Sequence, residues 1–274
     1  MSVYRDKVCV ITGAASGMGR ELAKQLSAQG AVLAISDIDV AGLEATREMI
    51  GGGNRILVDV LDVSDKAAII TYPAKVEAAL GPADYVLNNA GMTRVGDVVN
   101  TPLESMEQVI DVNFWGVVRM TKVFLPQLTE TKGVVTNISS LFGLIAYAGQ
   151  AHYCASKFAV RGFTETLALE MEETGTGVGV CCVHPGGVQT NVARNARVDH
   201  ISDGLTKAQM DEDFDALAIT PVDKAVKIIL DGTARRKRRI IVGNDAKLAS
   251  FFQRLMPVRY QKILKFYTKD KSAL

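Results

Sequence analysis

Val8-Cys9-Val10-Ile11-Thr12-Gly13-Ala14-Ala15-Ser16-Gly17-Met18-Gly19-Arg20 joins an apolar run to a glycine-rich turn and then to a helical repeat. A short apolar run bounded in this way reads as a buried strand. Gly13 permits a tight turn, while Gly17 and Gly19 allow close backbone approach and helix packing. A helix that starts here points free N–H groups at an incoming phosphate. A lone glycine-rich turn is a weak signal, but this one follows a strand and precedes a helix. Asp37 closes the next apolar run, eighteen residues after Gly19. From there a carboxylate accepts hydrogen bonds from both ribose hydroxyls of an adenosine and repels a 2′-phosphate. No Arg or Lys lies within Gly13–Gly19, and Ser36-Asp37-Ile38-Asp39 supplies none. The expected cofactor is NAD(H), preferred over NADP(H).

Working outward, β-rich apolar runs alternate with amphipathic stretches. Lys7–Ile11, Ala31–Ser36, Ile56–Val60, Asp84–Leu87, Val134–Ile138, Val178–Val183 and Ile240–Val242 read as strands. Helical patterns fall near Arg20–Gln29, Ala41–Met49, Lys66–Leu80, Pro102–Leu128, Ala151–Glu173 and Val222–Leu230. Strict alternation predicts an α/β fold: a single-domain, Rossmann-type, doubly wound parallel sheet of seven strands with helices on both faces. Its binding crevice lies at the carboxyl ends of the strands. The domain is expected over residues 1–245. Residues 191–219 are long, polar and irregular and read as a substrate lid, a passive excursion being the alternative. Residues 246–274 form a basic amphipathic tail.

Composition narrows the function. The 274 residues are 48% hydrophobic with a formal net charge of +1, which fits a large globular domain and gives no field directed at nucleic acid. Cys9, Cys154, Cys181 and Cys182 have no C-x-x-C spacing and read as reduced core thiols of a cytoplasmic protein. No apolar run reaches the length of a spanning helix, and the first residues do not read as a signal peptide. No metal site is expected from the His/Cys/Asp/Glu spacing, and there is no Gly-x-Ser-x-Gly elbow.

Chemistry concentrates around Tyr153 and Lys157, four residues apart on one helical face, with Ser140 thirteen residues earlier. An ammonium beside a phenol favours the phenolate. Bringing a phenol from pH 10 to working pH takes about three units, or roughly 4 kcal/mol. Lys157 supplies part, and an oxidised nicotinamide ring would supply more. Ser139 is the rival to Ser140. His152 is expected to pack or to face the site rim, and His184 to be a satisfied loop residue.

The chain resembles the compact, single-domain branch of the short-chain dehydrogenases/reductases over roughly residues 5–245. The likeness rests on TGAASGMG at Thr12–Gly19, NNAG at Asn88–Gly91, Asn113, Ser140, YCASK at Tyr153–Lys157 and PGGVQT at Pro185–Thr190. It implies strand order 3-2-1-4-5-6-7. It also implies Tyr153 as general acid/base, Lys157 as holder of the nicotinamide ribose, Ser140 as donor to the substrate oxygen, and Asn113 as holder of a water that links Lys157 to solvent. The implied cofactor set is Gly13, Ser16, Gly17, Met18, Gly19, Asp37, Asp62, Val63, Asn89, Ala90, Gly91, Tyr153, Lys157, Pro185, Gly186, Val188 and Thr190, with Asp62 at the adenine. A homodimer or homotetramer is expected.

Met92, Thr93, Leu141, Phe142, Leu144, Ala146, Tyr147 and Gln150 surround the expected pocket, and their mostly apolar character favours a small hydrophobic alcohol or ketone. The leading reading is an NAD-dependent alcohol dehydrogenase or ketone reductase. A 3-ketoacyl-type reductase, which would favour NADPH, and a non-enzymatic nucleotide sensor are the alternatives. The basic run Arg235–Arg239 reads as a solvated turn. The tail offers three roles: peripheral membrane contact, a cap on the pocket, or packing on a neighbouring subunit.

Overall fold

Val8–Thr12 forms strand β1, whose five residues are all buried, as the continuous apolar run requires. In the computed structural model, residues 2–51, 53, 55–190, 197–200, 208, 209, 212 and 218–262 are described. Around β1 lie β2 (Val32–Asp37), β3 (Ile56–Val60), β4 (Tyr85–Asn88), β6 (Val134–Ile138), β7 (Gly179–Pro185) and β9 (Arg239–Val242). They form one seven-stranded sheet in the order β3-β2-β1-β4-β6-β7-β9, parallel throughout. Both the fold class and the strand order implied by the resemblance are met.

Helices cover both faces. On one side α1 (Gly17–Ala28), α2 (Val40–Ile50) and α7 (Val222–Ala234) bury Leu22, Leu26, Leu43, Val226 and Ile229 against Leu33, Ile35 and Ile240. On the other, α3 (Lys66–Leu80), α5 (Gly116–Thr131) and α6 (Ala151–Glu173) bury Ile69, Val76, Met120, Phe124, Leu128 and Leu167 against Val10, Val86 and Val135. Asp39 and Asp65 cap α2 and α3 through Gly42 N and through Ala67 N and Ala68 N.

Three features go beyond the sequence reading. The single helix expected over Pro102–Leu128 is α4 (Leu103–Ile110), a π-helical turn at Asp111–Trp115, and α5. Its apolar period runs through the turn unbroken, so periodicity alone does not reveal it. Within the expected lid, Arg197–Val198 forms β8, which pairs in parallel with β5 (Arg94–Val95). The Arg94 guanidinium meets Asp199 at 2.6 Å and fastens that small sheet. The rest of that expectation falls largely outside the described residues. Finally, the chain beyond β9 continues as α8 (Asn244–Leu255), whose inner face packs through Ala249 and Phe252 on Leu144, Ile145 and Tyr260. Among the described residues, no helix is long and apolar enough to cross a membrane.

Candidate active site

The glycine-rich turn leaves β1 at the carboxyl edge of the sheet. Gly13 has φ of +69°, and a Cβ there would stand 2.7 Å from Ala90 Cα. A Cβ at Gly19 would collide with the Gly13 carbonyl. The turn is therefore held flush against β4 with no side chain filling it. Asn89 completes the fit, donating from Nδ2 to the carbonyls of Thr12 (3.1 Å) and Gly13 (3.0 Å). The N–H groups of Asn89 and Ala90 both donate to Thr12 Oγ1.

Asp37 stands at the end of β2 beside this turn. Its carboxylate accepts from Ala15 N at 3.0 Å, and from Ile38 N and Asp39 N. The nearby cation, Arg20, is committed elsewhere: it donates to the carbonyls of Ala15 and Gly42 and to Thr46 Oγ1. It braces the turn against α2. Asp62 lies exposed past β3, accepting from the N–H and hydroxyl of Ser64, while Val63 is buried against Gly116.

Ser140 follows β6 and Tyr153 opens α6, so both reach the same edge. The Ser140 hydroxyl lies close enough to the Tyr153 phenol to lower its proton affinity, and its Oγ accepts from Phe142 N at 3.1 Å. Ser139 is separated from this chemistry: it is buried and donates to the Lys157 carbonyl at 2.8 Å. Lys157 is buried, with Nζ donating to the Ile138 carbonyl at 3.0 Å and standing 5.6 Å from the Tyr153 ring centroid. Gly91 lies beside it, between Lys157 Nζ and Asn113 Oδ1.

Burial, rather than the lysine, dominates the proton affinities of this site without its cofactor. It pushes the Tyr153 phenol up to about 12, with the Ser140 hydroxyl pulling the other way. It pulls the Lys157 ammonium down to about 8. Loss of water around the phenolate is thus the largest influence on Tyr153 in the cofactor-free site.

Asn113 sits in the π-helical turn, fully buried. Its Oδ1 accepts from Met92 N (2.8 Å), and its Nδ2 donates to Met92 O (2.9 Å) and Ser156 Oγ (3.1 Å). Ser156 in turn donates to the Tyr153 carbonyl at 2.7 Å. The π-helical turn thus anchors both the strand after the NNAG stretch and the first turn of α6. Ser156 was not singled out from sequence, although it lies inside YCASK.

The third wall is Pro185–Thr190, past β7. Gly187 N donates to Asp245 Oδ2 at 2.6 Å, and Gly186 leaves no room for a side chain against that carboxylate. Val188 bridges Thr220, and Thr190 lies over Gly17. Asp245, from the first turn of α8, is a functional neighbour that no local motif announces. So is Tyr260, whose hydroxyl accepts from Ala146 N at 3.0 Å. His184 is not a loop residue: it is buried in β7, with Nδ1 3.1 Å from the Ser140 carbonyl. Burial pulls it down to about 4, so near neutral pH it is uncharged and holds the backbone of Ser140. His152 is buried with Nε2 on the Arg94 carbonyl.

Over Tyr153 lie Phe142, edge-on at 6.1 Å between centroids, and Tyr147, stacked on Phe142 at 5.1 Å. Thr93 and Gln150, both buried, satisfy each other at 2.9 Å, and Leu144 turns away toward Tyr260. What remains near the phenol is an apolar, aromatic wall with one hydroxyl pair able to grip an oxygen.

Comparison with known proteins follows this geometry. The family described as short chain dehydrogenase matches residues 7–200. A Mycobacterium tuberculosis protein named SadH is 45% identical over 267 residues, covering 96% of each chain. The meso-2,3-butanediol dehydrogenase of Serratia marcescens is 36% identical over 189 residues, 69% of this chain and 74% of that one. A Burkholderia phymatum short chain dehydrogenase/reductase solved in complex with NAD superposes with a TM-score of 0.84 at 27% identity, covering 95% of this chain and 97% of that one.

Proposed function

The chain belongs to the short-chain dehydrogenase/reductase family, and from that premise we propose that it is an NAD-dependent oxidoreductase interconverting a hydrophobic secondary alcohol and its ketone. The observation that carries this reading is the convergence of Ser140, Tyr153 and Lys157 beside a side-chain-free glycine cradle at one sheet edge. The butanediol dehydrogenase supports a secondary alcohol and ketone as the reacting pair, and the NAD-bound neighbour supports the cofactor.

The cradle fits a dinucleotide. Gly13, Ser16, Gly17, Met18 and Gly19 would receive the pyrophosphate at the start of α1. Asp37 would take the adenosine ribose, Asp62 and Val63 the adenine, and Asn89, Ala90 and Gly91 the floor. Pro185, Gly186, Val188 and Thr190 would hold the nicotinamide side. When bound, the nicotinamide supplies the hydride acceptor or donor.

The chain's own part is the proton. Tyr153 gives a proton to a ketone oxygen or takes one from an alcohol. Protonated near neutral pH, it is poised as the acid. Ser140 orients the same oxygen and stabilises the phenolate when it forms. Lys157 provides the positive charge that brings the phenol back toward a working range. Asn113 acts as a positioning residue through Met92 and Ser156. Phe142 and Tyr147 keep water from the reacting oxygen and set a preference for apolar substituents.

We place the protein in the cytoplasm, its four free cysteines being buried. We assign the exposed Trp115, Phe158 and Leu169, on the π-helical turn and α6, to contacts in a homodimer or homotetramer. The test is a panel of secondary alcohols offered with NAD⁺ and with NADP⁺, read by reduced-nicotinamide absorbance. Apolar alcohols turned over with NAD⁺ support the proposal. Absence of hydride transfer with every alcohol and ketone would remove it.

A further inference from the structure

We propose that the outer face of α8 and the turn after it is a docking surface for an anionic lipid bilayer. Leu248, Phe251 and Leu255 follow one another at steps of three and four, which aligns them in one stripe along α8, and Val258 lies in the turn just past its end. They are 49, 57, 62 and 75% exposed. The opposite face is already used, with Ala246 buried and Ala249 and Phe252 packed toward Leu144, Ile145 and Tyr260. The fold therefore gains nothing from the outer stripe.

Cations flank it. Lys247, Arg254, Arg259 and Lys262 are all exposed, and from Ala246 to Lys262 the sequence holds no Asp or Glu. Long basic side chains lie along an apolar surface and carry their charge outward, to the level of lipid headgroups. The wider charge distribution points the same way. Residues 246–274 hold seven basic and one acidic side chain, leaving 24 basic against 29 acidic in residues 1–245. An anionic surface attracts the helix and repels the body, which fixes the orientation.

A second copy is the poorer occupant. A two-fold contact sets the same patch against itself, so Lys247, Arg254 and Arg259 would face their own like charges with no carboxylate in the stripe to offset them. The helix that carries the stripe lies close to the site through its inner face: Phe142 touches both the cluster beneath α8 and Tyr153. Granting the alcohol–ketone reading above, docking would hold the enzyme at the bilayer into which apolar alcohols partition.

The experiment uses the full chain, without substrate or cofactor, in co-sedimentation with phosphatidylcholine vesicles and with phosphatidylcholine–phosphatidylserine vesicles. Binding is expected only to the anionic vesicles and should fall as salt rises. Lys247→Glu/Arg254→Glu should lower partitioning at least about tenfold, as loss and reversal of two surface charges requires. Leu248→Ser/Leu255→Ser should lower it to a similar extent. Both variants should keep the parent's melting temperature and its turnover of a water-soluble alcohol. Equal partitioning onto the two vesicle types, or variants that bind like the parent, would overturn the proposal. So would dissociation of an oligomer by Leu248→Ser/Leu255→Ser without lipid, which assigns the face to a second copy. Salt-sensitive capture by an acidic polypeptide with no vesicle binding would assign it to a protein partner. Because the readout is partitioning, an inactive protein that binds vesicles sinks the activity alone, and an active one that ignores them sinks the docking alone.

Discussion

Replacing Lys157 with Met removes a charge and keeps most of the buried stem. The ammonium stands 5.6 Å from the Tyr153 ring centroid. A unit charge at that distance, in an effective dielectric of about 20, stabilises a phenolate by about 3 kcal/mol, which corresponds to roughly two pH units. The sign is fixed: a positive neighbour favours the ionised phenol, so its loss raises the tyrosine pKa. Alcohol oxidation needs the phenolate and is first-order in its population below that pKa. Under saturating NAD⁺ and alcohol, the parent should exceed the variant by roughly a hundredfold near pH 7. Burial in the cofactor-free site also pulls the Lys157 ammonium down to about 8. The advantage should therefore shrink above that pH and approach unity where both phenols ionise. The assay is initial rate against pH for both proteins, with cofactor dissociation constants measured alongside to keep saturation secure. A ratio that stays constant across the pH range would refute the electrostatic role and leave Lys157 as a ribose-holding and packing residue.

Three further outcomes follow from the geometry. Asp37, with Arg20 committed to backbone carbonyls, should make NAD⁺ better than NADP⁺ in kcat/KM by at least about tenfold, only about 1.4 kcal/mol of discrimination; equal use of both would remove that assignment. Asp245→Ala should lose a charge-assisted bond to Gly187 worth about 1.5–3 kcal/mol, seen as weaker NAD⁺ binding and a lower melting temperature, whereas Asp245→Asn, which still offers an acceptor, should recover most of both; equal behaviour of the two would contradict the positioning role. His184, with its folded pKa pulled from 6.5 to about 4, binds protons more readily when unfolded, so stability should be full above about pH 6.5 and fall toward pH 4. That group alone accounts for about 3 kcal/mol, and His184→Gln should flatten the slope in denaturant titrations at several pH values.

The seven parallel strands were readable because each is a largely apolar run of four to seven residues framed by turn chemistry, and the sheet order came with the family motifs. The glycine cradle, Asp37, Ser140, Tyr153 and Lys157 stood out through local spacing and the family motifs, and the fold brings them to one edge. What escaped depends on contacts far apart in sequence. Asp245 reaches Gly187 across 58 positions, Tyr260 reaches Ala146 across 114, and His184 reaches Ser140 across 44. No periodicity encodes such pairs. The π-helical turn around Asn113 escaped for another reason: one extra residue per turn leaves the apolar pattern of Pro102–Leu128 nearly unchanged. Sequence shows which charges are near a phenol but not how much water it loses, so the burial that raises Tyr153 in the cofactor-free site was not legible.

The central claim is that Tyr153 moves the proton at the substrate oxygen. Tyr153→Phe keeps ring, volume and the edge contact with Phe142 while removing the ionisable oxygen. The measurement is kcat for alcohol oxidation paired with NAD⁺ affinity by fluorescence titration. The account predicts a fall in kcat of at least about 10²–10⁴-fold, the span of general acid–base catalysis, with NAD⁺ affinity close to the parent's. Near-parent turnover in Tyr153→Phe would contradict the mechanism.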